Sequence, residues 1–146
     1  TIGAGYVNFS GDDGTTAENE AWSNVFQSVY MYDGAAATGF LGFGPAHLFL
    51  TGGFCPNPSN LNVINGNLEF NPGTVTVRAD FFMYTLNEVA EGVEDALGNE
   101  ISLVLKYNYR DLITFGASAG YFMPGDYYGA DADAALGGVF FFNKTF

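Results

Sequence analysis

Arg78 and Asp80 stand two residues apart in a stretch that alternates apolar and polar side chains. In a strand that spacing puts both on one face, where a guanidinium and a carboxylate form an ion pair. Such a pair could filter solutes along the wall of a pore, or simply brace the wall. Glu69, Glu100, Lys106 and Arg110 fall in neighbouring alternating stretches and could extend the pair into a charged row. This row is the candidate pore lining.

The remaining reactive side chains carry less. Asp126, Asp131 and Asp133 are clustered carboxylates that could gather calcium, but they lack the EF-hand spacing, and solvated loop acids explain them as well. His47 has no spaced partner for a transition metal, and the single Cys55 cannot form an internal disulfide. Ser118 lies mid-strand without a nearby base, and Glu91 and Glu94 share a loop with nothing to fix their separation. The sequence therefore predicts no catalysis, no cofactor and no metal.

The elements that position these residues are strands. The 146 residues suffice for one domain. With 15 Phe and 9 Tyr the composition favours strands over helices. Only four basic residues oppose 16 acids, so nothing neutralises phosphates and a nucleic-acid partner is excluded. A hydrophobic content of 48% argues against disorder. No run is long and apolar enough for a transmembrane helix, and any export signal has been removed or lies upstream.

Six strands are predicted, over residues 2–10, 61–70, 74–84, 100–110, 112–123 and 134–146. Residues 10–60 form a long external loop region, in which 21–32 could be a short amphipathic helix or a strand. Residues 61–146 read as a regular β-meander within a single segment, 1–146. Tight turns at 71–73 and 110–111 alternate with long connections at 11–60, 88–99 and 124–133. Twelve of the sixteen acids fall in those long connections, which sorts charge away from the strands.

Short turns at one end, long loops at the other and a terminal aromatic strand are how outer-membrane barrels are built. The expected fold is thus all-β, an antiparallel up-and-down transmembrane barrel. Val75, Val77, Phe81, Leu103, Leu105, Phe115, Phe140, Phe142 and Phe146 are expected to face lipid. Six strands cannot close such a barrel, which needs about eight or more. Further strands are expected from a missing N-terminal part or from other chains.

Several ordered stretches resemble the alginate-export porin family of Gram-negative outer membranes. They are SGDDGTTAENEAW (10–22), RADFFMYTLNE (78–88), ALGNEISLVLKYNY (96–109), FGASAGYFMPGD (115–126), and DADA ahead of the last aromatic strand. The resemblance implies the C-terminal part of a barrel of about sixteen to eighteen strands. It also implies a bacterial outer-membrane location, lipid as a partner, and a porin-like channel. That family lines its pore with arginines, whereas this chain sets Arg78, Lys106 and Arg110 against Glu69, Asp80 and Glu100. The implied cargo is small polar or sugar-like solutes rather than alginate. Another reading is an eight-stranded or secreted β-rich structural or binding protein without transport activity, its two extra strands coming from 21–32 and 39–51.

Overall fold

A computed structural model describes residues 1–21, 59–110 and 112–144. The helix-or-strand alternative at 21–32 (beyond Ala21), the possible strand at 39–51, His47, Cys55, Asp111 and Phe146 lie outside the described residues.

Among the described residues six strands follow one another: β1 (Ile2–Phe9), β2 (Leu61–Phe70), β3 (Val75–Thr85), β4 (Ala96–Tyr109), β5 (Ile113–Pro124) and β6 (Ala135–Lys144). Each pairs antiparallel with the next, in the sheet order β1-β2-β3-β4-β5-β6. The tight turns form where Pro and Gly, or a left-handed residue, reverse the chain. Gly73 takes φ 68° and donates its N–H to Asn71 O at 3.1 Å; Arg110 takes φ 52°. A 3-10 turn, Asp126–Tyr128, lies in the long β5–β6 connection.

Beta-4 begins at Ala96, earlier than the sequence pattern suggests. Gly98 and Asn99 are turn formers by composition, yet Asn99 pairs with both Met83 and Met123. A register shift opposite Tyr84/Thr85 marks an irregularity here, where Gly98 adopts φ 132°. Pairing on both sides overrides the local propensity.

The pleat separates two contrasting faces. On β4, Glu100, Ser102 and Val104 are buried while Ile101, Leu103 and Leu105 are exposed. The core lies on the first of these faces, at the end of the long connections, where Phe9, Leu61, Val63, Phe82, Tyr84, Leu97 and Phe122 cluster. Phe82 stacks on Tyr84 at 5.9 Å, and Tyr84 meets Phe122 edge-on at 6.4 Å. Towards the tight turns the ring of Phe141 lies over Gly116, so closely that a Cβ there would meet it at 1.9 Å.

The sheet is open. Among the described residues β1 and β6 are its two edges, and no pairing joins them. This corrects the expectation of a closed transmembrane barrel. Period-two alternation and hairpin connectivity are the same in an open meander and in a barrel. Closure is a separate, long-range property: the register between first and last strands. The inferences that rested on closure fall with it, namely the porin channel, the small polar solute, the lipid partner and the outer-membrane location. No further strand of the described residues joins either edge. No helix among them is long and apolar enough to cross a membrane.

Candidate functional site

The charged row sits on the buried face. Glu69 pairs in register with Arg78, Asn67 with Asp80, and Asn65 with Phe82. One strand further, Asp80 pairs with Ser102 and Phe82 with Glu100. Two adjoining polar clusters result.

The first centres on Asp80, which is 2% exposed. Arg78 Nε donates to Oδ2 at 2.9 Å and Nη2 donates to Oδ1 at 2.7 Å, a two-pronged ion pair within one strand. Asn65 Nδ2 donates to Asp80 Oδ1 at 3.4 Å, and Asn67 Nδ2 to Asn65 Oδ1 at 3.1 Å. The second centres on Glu100, 0% exposed. Its Oε2 accepts from Tyr84 O–H at 3.1 Å and its Oε1 from Ser102 O–H at 2.5 Å. Burial, and then the facing Glu100 carboxylate, raise the Tyr84 pKa well above its ordinary value, with Asp80 adding to the effect. Tyr84 is therefore a fixed hydrogen-bond donor at neutral pH.

The other expected wall residues are dispersed. Lys106 shares this face, in register with Thr76 and Gly116. Glu69 Oε1 accepts from Asn71 Nδ2 at 2.7 Å beside the β2–β3 turn. Arg110 lies at the β4–β5 turn with its guanidinium 5.2 Å from the centre of the Tyr109 ring. Asp126, Asp131 and Asp133 are exposed in the β5–β6 connection. No group of three His, Cys, Asp or Glu among the described residues could hold a metal ion.

Val75, Val77, Phe81, Leu103, Leu105, Phe115, Phe140 and Phe142 share the opposite face, and Phe140 on edge strand β6 is 91% exposed. Phe115 and Phe142 are in ring contact at 5.5 Å. Lys144 is the one charged residue that strand register places on this face, and it lies at the margin.

Composition alone hides an asparagine network at the end of the long connections. Asn60 Oδ1 accepts from the backbone N–H of Asn87 (3.1 Å) and Glu88 (2.7 Å), and its Nδ2 donates to Glu88 O at 2.8 Å. Asn87 donates to Phe9 O, and its Oδ1 accepts from Asn62 Nδ2 at 2.5 Å and Asn8 Nδ2 at 2.8 Å. The network ties β1, β2 and the β3–β4 connection together. Asn60 itself takes φ 53°, in the left-handed region that asparagine tolerates.

Asp80 and Glu100 are enclosed and hydrogen-bonded, the first to Arg78 and Asn65 and the second to Tyr84 and Ser102. Comparison with known proteins adds no identity: no family model, no curated protein and no solved structure matches the chain. The resemblance to alginate-export porins is corrected accordingly. Its motifs are short strand and loop segments rich in Gly, Phe, Tyr and Asp, which any aromatic antiparallel meander uses.

Proposed function

We propose that this chain is a structural or binding protein built on an antiparallel sheet, without transport or catalytic activity. The observation that carries this reading is the open sheet, whose buried face is braced by hydrogen-bonded polar clusters. A channel needs a closed wall around an aqueous lumen. Here Asp80 and Glu100, two of the charged groups that would line one, are enclosed and hydrogen-bonded to Arg78, Tyr84 and Ser102. The opposite face offers a broad uncharged surface of aromatic and aliphatic side chains, the composition of an association surface. Planar-bilayer recording, paired with flotation against lipid vesicles, tests the reading. The expected result is no conductance above background and no co-flotation; stable conductance steps would overturn it.

A further inference from the structure

We propose that the uncharged face of the sheet docks against the same face of a second copy of this chain, with the strands of the two copies running so that their long connections lie at opposite ends. The proposal rests on the structural or binding reading above and names the partner.

Size is the first argument. Six strands about 4.8 Å apart, each about ten residues long at about 3.3 Å per residue, present roughly 900 Å². That footprint is comparable with the roughly 800 Å² per partner of a stable protein interface. Chemistry is the second. The face carries no acid, and Lys144 lies at its margin. An equally uncharged surface covers it without stranding a charge, and another copy of itself is such a surface.

Relief is the third argument. A middle row crosses the strands as Leu68, Ala79, Leu103, Ala119 and Gly138. Bulkier rows flank it, with Gly66, Phe81, Ile101, Tyr121 and Leu136 on one side and Phe70, Val77, Leu105, Ala117 and Phe140 on the other. The small residues Ala79, Ala119 and Gly138 make a furrow interrupted by Leu103, 53% exposed, and bounded by Leu68, 58% exposed. A two-fold axis along this row sets each row residue across from its own mate, so that Leu103 meets Leu103 and the flanking rows pack on one another. The same axis sends the acidic connections to opposite ends. Their separation is then about a strand length, roughly 33 Å, beyond the screening distance of about 8–10 Å. An axis parallel to the strands would bring like charges together.

The test is sedimentation equilibrium of the full chain in detergent-free buffer, comparing the native protein with Leu103→Arg, Ala119→Arg and Thr74→Arg. The last is an exposed residue at the β2–β3 turn. The expected result is a concentration-dependent dimer that Leu103→Arg and Ala119→Arg each weaken by about a hundredfold or more, while Thr74→Arg does not. Circular dichroism identifies any variant that fails to fold, and Ala119→Arg then decides in place of Leu103→Arg. A dimer indifferent to both furrow variants overturns the proposed face. A monomer without detergent overturns the dimer and leaves the binding reading standing. A chain that disperses only with detergent or lipid overturns both.

Discussion

The Arg78–Asp80 pair is unequal in its surroundings. The Asp80 side chain is fully enclosed, whereas 18% of the Arg78 side chain reaches solvent. Removing the guanidinium strands a buried carboxylate; removing the carboxylate leaves a cation with some access to water. Arg78→Met should therefore cost about 3–5 kcal/mol, and Asp80→Asn, which still offers an acceptor, distinctly less. Urea denaturation of the two variants measures the difference, and equal losses would contradict the asymmetry. Tyr84 gives a pH signature with a definite sign. Its pKa in the folded chain lies above the ordinary 10.0, so the protonated phenol is the form the fold prefers. Below about pH 10 folded and unfolded chains both hold the proton and stability is unaffected. Above it the unfolded chain releases the proton first, and stability falls as pH rises towards the folded pKa. Tyr84→Phe should remove that alkaline loss, at the expense of one hydrogen bond to Glu100 at every pH. Denaturation midpoints compared at neutral and alkaline pH check it.

Within the elements, two positions on the β4–β5 pair test the sheet in opposite directions. Gly98 combines φ 132° with Met123 O only 2.3 Å from where a Cβ would stand. Backbone cannot retreat as a side chain can, so Gly98→Ala should destabilise by about 1–3 kcal/mol, read by thermal melting. Ser118 is buried with a hydroxyl that finds no hydrogen-bond partner among the described residues. Ser118→Ala should therefore be neutral or raise stability by about 1 kcal/mol; a clear loss would reveal a partner for the hydroxyl. The strands themselves were legible in the sequence because alternation reports directly on which side chains share a face. Arg78, Asp80, Glu100 and Lys106 on one face, and Val77, Leu103 and Phe115 on the other, follow from counting by twos. Alternation carries no information about what lies above each face. Ser102 and Glu100 are enclosed while Leu103 is open, the reverse of the usual polarity, and nothing local in the chain distinguishes the two outcomes. The asparagine network escaped for a related reason: Asn60, Asn62 and Asn87 meet only once β2 and the β3–β4 connection are side by side.

For the molecule as a whole, the property that decides function is whether the sheet has edges. A closed barrel satisfies every strand amide from both neighbours, whereas an open sheet leaves alternate amides of its outer strands facing outward. Beta-6 is the informative strand, because β5 engages one of its sides and no strand engages the other among the described residues. Amides on Ala135–Lys144 that point towards β5 should be protected from hydrogen exchange. Those that point away should exchange with rates close to unstructured peptide. Beta-4, paired on both sides, should show protection along its length apart from its irregular start near Gly98. Face-to-face docking leaves this pattern intact, since it covers side chains and not the outward amides of an edge. Exchange read residue by residue therefore tests openness independently of the dimer. Uniform protection along β6, matching that of β4, would mean a further strand is bound at that edge, and the open-sheet account of this protein would have to be abandoned.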